Sequence, residues 1–121
     1  MDLDFSLMLK DLLENGIVCI FGEINSEMSD YVGKSLLWLN RNANHSENSN
    51  KKIMLYISSN GGSVVSALSI YDMVFSSILP VTGVVYAKAY SSAAVIFQAC
   101  HERHMMKNAE IMYHPSTFDL T

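Results

Sequence analysis

Short apolar runs alternate with helical periodicities along this chain, and glycine, proline or polar stretches separate them. Ile17 to Phe21 (I-V-C-I-F) is a β-branched and aromatic run closed by Gly22, the composition of a buried strand. From about Glu27, Met28, Val32, Leu36 and Leu39 recur at steps of four, four and three, which predicts a helix. Asn40 to Asn50, rich in Asn and Ser, reads as a surface loop. Ile53 to Ile57 (I-M-L-Y-I) predicts a second strand. Val64, Leu68, Tyr71, Phe75 and Ile78 then trace a second amphipathic helix, ended by Pro80. Val81 to Tyr86 predicts a third strand, Ser91 to Cys100 a short helix of small residues, and Met105-Met106 and Glu110 to Tyr113 two further short strands. No internal repeat is visible. Strands alternating with helices through short connections predict an α/β fold with a mostly parallel sheet, with parallel strands at 17–21, 53–58 and 81–87.

That layout concentrates the chemistry. In open α/β sheets, sites form beyond the carboxyl ends of the strands. Gly61-Gly62-Ser63 follows the second strand, Ser91 follows the third, and His114 follows a later one. A hydroxyl, an imidazole and two small-residue backbones on one sheet edge suggest acyl transfer by a serine nucleophile. The amides at 61 and 62 carry no side chain to block a peptide and can point at a developing oxyanion. Ser91 at a helix start gains the Ser92 N–H and the positive helix end, both favourable to negative charge. Simpler readings exist for each part. Two glycines can serve only a strand-to-helix turn, Ser91 can be a helix N-cap, and His114 can be a strand-end histidine. Asn60-Gly61 is also a hairpin signal, but helical rather than alternating spacing follows it.

Composition narrows the alternatives. The 121 residues are 50% hydrophobic and 17% charged, which excludes a disordered chain and accommodates one domain. A net charge of -4 with scattered basic residues excludes a nucleic-acid surface. No segment is long and apolar enough to span a bilayer, and the acidic start Met1-Asp2-Leu3-Asp4 lacks the basic region of a secretory signal. Cys19 and Cys100 read as buried thiols rather than a disulfide framework, which points to a cytoplasmic, reducing compartment. His101-Glu102-Arg103-His104 falls one residue short of H-E-x-x-H and reads as a solvated helix end rather than a metal site. No cofactor motif is present. Lys88, three residues before Ser91, is an alternative base, and Cys100 beside His101 an alternative nucleophile. His45 falls in the polar loop.

Four stretches in order resemble a known family. Tyr56-Ile57-Ser58-Ser59-Asn60-Gly61-Gly62-Ser63-Val64, Ser69-Ile70-Tyr71-Asp72, Ala87 to Ala94 and Asn108-Ala109-Glu110-Ile111-Met112-Tyr113-His114 are similar to the proteolytic subunit of Clp protease (ClpP), from about Leu12 to the C-terminus. The resemblance implies the ClpP/crotonase spiral of repeated β-β-α units. It implies a serine endopeptidase acting on unfolded polypeptides, with Ser91 as nucleophile, His114 as general base and the N–H groups of Gly61 and Ser92 as the oxyanion hole. Gly62, Ser63 and Val64 match the segment that pairs with an extended substrate. It further implies a homo-oligomeric ring and an ATP-driven unfoldase partner.

The sequence departs from the family pattern in four places. Asn60 stands at the usual proline, and Tyr90 and Ser92 replace small and Met-like neighbours of the nucleophile. Thr121 is only seven residues beyond His114, whereas the family's handle helix and third triad member come later. Asp119, the carboxylate after His114, does not match in spacing. The expectation is a single domain over 1–121 that corresponds to the first part of the family's domain. The alternatives are an inactive ring subunit, or a phage-maturation or signal-peptide-type peptidase of the same fold with Lys88 or a missing lysine as base.

Overall fold

A computed structural model describes residues 2–43 and 52–113 of the chain. The β-branched runs become strands because their branched side chains fit a pleated sheet covered by helices. In chain order the elements are α1 (Asp2–Glu14), β1 (Ile17–Phe21), α2 (Ser26–Arg41), β2 (Ile53–Ser59), α3 (Val64–Phe75), β3 (Val81–Tyr90), α4 (Ser92–Ala99), β4 (Glu102–Met105) and β5 (Glu110–Met112). All the strand pairs among the described residues are parallel, as predicted, and run β1-β2-β3-β4 with β5 also on β3. Strands β1 to β4 each lie beside the one before, and β5 returns to the far half of β3, so the chain advances as a spiral.

The repeat invisible in the sequence is plain in the pairing. β3 is split: Thr82 to Val85 pair with β4, and Lys88 to Tyr90 pair with β5. Between those halves Ala87 takes a positive φ of 66°. β2 advances only from Ile57 to Ser59 while β3 advances from Val85 to Ala89, a bulge that redirects the strand. The same step occurs beyond β1 and β2, where Ile24 and Gly62 form an isolated parallel bridge. Each unit is therefore a long strand, a short extended segment and, for the first three, a helix. This is the β-β-α order that the resemblance implies.

The core lies between the sheet and the helices. β2 alternates strictly, with Ile53, Leu55, Ile57 and Ser59 buried. Helix α2 buries Val32, Leu36 and Leu39, as its spacing predicts, and Met28 packs at the margin. Helix α3 reverses the expectation. Most of its predicted stripe faces outward: Val64, Leu68 and Phe75 are exposed, Ile78 lies beyond the helix at 89% exposure, and only Tyr71 packs at the margin of the core. The buried face is Ser66, Ala67, Ile70 and Val74. Smaller residues win that face because α3 packs against α4, whose Ala93, Ala94 and Ala99 are buried beside it. Three further expectations are corrected. Helix α1 has no counterpart among the predicted elements. Asn40 and Arg41 belong to α2 rather than to the following loop, whose residues 44–50, with His45, lie outside the described residues. Glu102 to Met105, read as a helix end running into a strand, is the exposed strand β4.

Asn40 explains why α3 stops before Pro80. Its Oδ1 accepts the N–H groups of Ile78 and Leu79 at 2.9 and 3.0 Å, while its Nδ2 donates to the Leu36 carbonyl and the Ser77 hydroxyl. One side chain thus ties the end of α2 to the turn that feeds β3. Water can reach the exposed Ile78 N–H, so replacing Asn40 loses about 0.5–1.5 kcal/mol for each bond rather than a buried-donor penalty. Asn40→Ala is expected to lower the thermal midpoint by several degrees with little change in helix content, measured by far-ultraviolet dichroism.

Candidate active site

Only Ser91 separates the end of β3 from the start of α4, so it must reverse the chain by itself. It does so at φ 57° and ψ -124°, a region that costs a residue with a side chain about 1–3 kcal/mol unless its surroundings impose it. The surroundings impose it. The Ser91 N–H donates to the Met112 carbonyl at 2.9 Å, and the Ser91 carbonyl accepts from the Ala94 N–H at 3.0 Å. The Ser91 hydroxyl makes no capping bond to α4, whereas Asn25 and Ser63 cap α2 and α3 with their side chains. The simple N-cap reading of Ser91 therefore does not hold. A serine on a strained strand-to-helix elbow presents its hydroxyl away from the backbone, the posture a nucleophile needs.

The structure brings the glycine turn against this elbow. A β-carbon on Gly61 would stand 2.8 Å from the Tyr90 carbonyl oxygen, 3.0 Å from the Ser91 Cβ and 3.3 Å from the Ser92 nitrogen. A β-carbon on Gly62 would stand 2.3 Å from the Ile24 carbonyl oxygen. Both residues have positive φ, 99° and 153°. Space and backbone angle together demand glycine at both positions.

The amides of this turn do not all point as expected. The Gly61 N–H, expected at the oxyanion, donates instead to the Ser59 hydroxyl at 3.0 Å in a buried bond. The Gly62 N–H faces the elbow and donates to the Ser92 hydroxyl at 3.0 Å. The Ser92 N–H belongs to the first turn of α4, where amides have no partner within the helix. Gly62, Ser63 and Val64, matched to a peptide-pairing segment, divide among three roles. Gly62 bridges Ile24, Ser63 caps α3 and donates its N–H to the Ile24 carbonyl at 2.8 Å, and Val64 opens α3 with its side chain exposed. The edge of this segment facing Ile24 is thus already occupied.

β5 completes the described surroundings. Its pairing with Lys88 to Tyr90 continues into the bond between Met112 and Ser91. Tyr90 Oη donates to Glu110 Oε1 at 2.6 Å across the same pair. That hydrogen bond to the Glu110 carboxylate raises the Tyr90 phenol above its ordinary range, so the phenol keeps its proton and goes on donating further into alkaline pH. His114 and Asp119 lie outside the described residues. Four contributors escaped sequence reasoning: Ser59, the Ser92 side chain, the Tyr90–Glu110 pair and the Met112 carbonyl. For Ser59 a signal existed, since strand alternation puts it on the buried parity of β2, where a hydroxyl needs a partner. Carbonyl and side-chain partners across the spiral leave no such trace.

The competing chemistries lose ground. Cys100 is buried, and that burial pushes its thiol up to about 12, so it is not a thiolate nucleophile at neutral pH. His101 accepts the Val81 N–H on Nδ1 at 2.9 Å, and His104 pairs with Glu102 at 2.8 Å. Among the described residues no group of three or more His, Cys, Asp or Glu could hold a metal ion. No helix there is long and apolar enough to cross a membrane. Lys88 lies half-buried in β3, and no hydrogen bond joins it to Ser91 among the described residues.

Comparison with known proteins gives the family and the fold. A family profile described as Clp protease matches residues 3–119. The chain belongs to the Clp protease family. It is 39% identical over 105 residues to the ATP-dependent Clp protease proteolytic subunit 1 of Rhodopirellula baltica, which takes in 85% of this chain and 44% of that protein. It is 35% identical over 105 residues to the proteolytic subunit of Ligilactobacillus salivarius, covering 51% of it. The chain thus spans about half the length of these curated relatives. Among solved structures, ClpP1 of Listeria monocytogenes is 30% identical with a TM-score of 0.75, over 87% of this chain and 59% of that one. An asparagine-to-aspartate variant of the same protein gives 0.77 over 88% and 60%. The spiral is therefore the Clp protease fold.

Two outcomes are expected from the local geometry. Gly62→Ala forces a methyl against the Ile24 carbonyl and should cost at least about 1–3 kcal/mol from backbone strain, read by chemical denaturation. The Cys100 thiol should stay unmodified by iodoacetamide at pH 7 in the folded protein and react fully once it is unfolded, read by mass spectrometry.

Proposed function

We propose that this chain carries the nucleophile and oxyanion turn of a Clp-type serine endopeptidase. The observation that carries the reading is the Ser91 elbow, a strained serine with no capping role pressed against the Gly61–Gly62 turn. Ser91 Oγ attacks the scissile carbonyl carbon while His114 takes the hydroxyl proton. The carbonyl π pair moves onto oxygen, and that oxyanion is received by the Ser92 N–H and by the Gly61–Gly62 turn. Within that turn the Gly62 amide is the better aimed, since Ser59 holds the Gly61 amide. Collapse of the tetrahedral adduct breaks the C–N bond, and His114 returns the proton to the leaving amine. Water, activated by the same imidazole, then releases the acyl group from Ser91. β5 supports the role of His114: it ends two residues before that histidine, and its Met112 carbonyl holds the Ser91 amide.

The substrate class in this reading is unfolded polypeptide, held in extended form near Gly62, Ser63 and Val64. The working particle in this reading is a homo-oligomeric ring fed by an ATP-dependent unfoldase in the cytoplasm; the relatives' names, ATP-dependent proteolytic subunits, support the link to ATP. The residues 1–121 belong in this reading to a single Clp-type domain.

A fluorophosphonate probe applied to the full-length protein tests the nucleophile. Labelling and peptide cleavage should both vanish in Ser91→Ala. His114→Ala should slow cleavage by about 10²–10⁴-fold, the usual contribution of a general base. Gly61→Val should abolish cleavage by pushing the turn off the elbow. A wild-type protein that resists the probe, or a Ser91→Ala protein that still takes it, would refute the reading.

A further inference from the structure

The mechanism above uses the Ser92 backbone and leaves its side chain unexplained. Ser92 is buried, and its hydroxyl turns away from α4 toward a turn 30 residues earlier in the chain. There Oγ accepts the Gly62 N–H at 3.0 Å and faces the Gly62 carbonyl oxygen at 3.5 Å. One side chain thus bonds the Gly62 N–H and lies near its carbonyl.

The bridge to Ile24 explains why those groups are available. The Gly61 carbonyl accepts from the Ile24 N–H at 3.0 Å, and the Ser63 N–H donates to the Ile24 carbonyl at 2.8 Å. In extended backbone, successive residues direct their polar groups to opposite sides. Gly62 therefore aims its N–H and C=O away from Ile24, toward the elbow at Ser91. The oxygen of Ser92 sits where an acceptor for the Gly62 N–H belongs.

We propose that the Ser92 hydroxyl is a placeholder on the oxyanion amide of Gly62, which a substrate carbonyl oxygen must displace. The inference rests on the reading of Ser91 as nucleophile and deepens it. Two features separate a placeholder from a permanent cross-link. The return contact to the Gly62 carbonyl is at the outer limit of a hydrogen bond, so the hydroxyl is held by one good bond rather than two. Gly62 itself is exposed, so a ligand can reach its amide from outside. Ser92 is on this account a positioning residue that sets the cost of entering the site. It exchanges one acceptor for another at the Gly62 N–H, with no covalent change and no net loss of a proton.

The test measures inhibition of the full-length protein by a peptide aldehyde, whose hemiacetal on a serine places an oxygen in the oxyanion position. In Ser92→Ala the amide no longer has to exchange a protein acceptor for the ligand. The inhibition constant should then fall by about 2–10-fold, the equivalent of one modest hydrogen bond. Ser92→Thr keeps the hydroxyl and should stay near the wild-type value. Ser92→Cys, similar in size with a weak acceptor, should shift in the same direction as alanine and serves if the alanine protein fails to fold. Fluorophosphonate labelling of Ser91 is followed in every variant. Labelling with unchanged or weaker aldehyde binding in both the alanine and cysteine proteins overturns the placeholder and leaves the Ser91 reading standing. Absence of labelling in the wild type overturns both.

Discussion

The approach of the Gly61–Gly62 turn to the Ser91 elbow, with no room for a β-carbon on either glycine, governs the arrangement of this molecule. On one side the turn meets the Ile24 backbone, and on the other it meets Tyr90, Ser91 and Ser92. Three successive units of the spiral touch at that point: the segment after β1, the segment after β2 and the elbow after β3. Parallel strands in sequential order make the coincidence possible, because each returns its carboxyl end to the same edge. The bulge at Ala87 then tilts the last part of β3 out of line with its first part, which puts Ser59 opposite Ala89 and brings the elbow beside the turn.

A strained serine needs a rigid frame, and the frame is built from small residues and committed hydrogen bonds. Ala93 and Ala94 let α4 settle close to its neighbours, and Gly83 leaves room for the Cys100 sulfur and the Phe97 ring, which would lie 2.6 and 3.1 Å from any added β-carbon. The Met112 carbonyl holds the Ser91 amide, so β5 is fastened to the backbone of the elbow itself. Ser59 locks one glycine amide, while Ser92 rests on the other. Protein interiors transmit strain because they are close-packed, and here a low-cost arrangement of alanines and glycines bears it.

The outer surface has a different character. Helix α3 turns Val64, Val65, Leu68 and Phe75 outward, and β4 and β5 expose Met105, Ile111 and Met112. The apolar content of the chain is higher than its core alone accounts for. This is also why periodicity misjudged α3: both of its sides are apolar, so the spacing of large residues marks a face without saying which way it looks.

By itself, the sequence determined the class and order of the elements: β-branched runs have no better use than buried strands, and the alternation of strands with helices admits little besides a parallel sheet. It also marked Gly61, Gly62 and Ser91, since glycine pairs and a serine at strand ends are local signals tied to strand position. Tertiary structure alone decided the rest. Which amide of the glycine turn faces the elbow depends on Ile24 and Ser59, one of them more than thirty residues away. The buried side of α3 depends on the small residues of α4. The two-layered β-β-α repeat arises from backbone bulges and bridges, which follow from register between strands and not from side-chain pattern. Local chemistry proposes elements and candidate groups, and the direction of each hydrogen bond is set only when distant backbones meet.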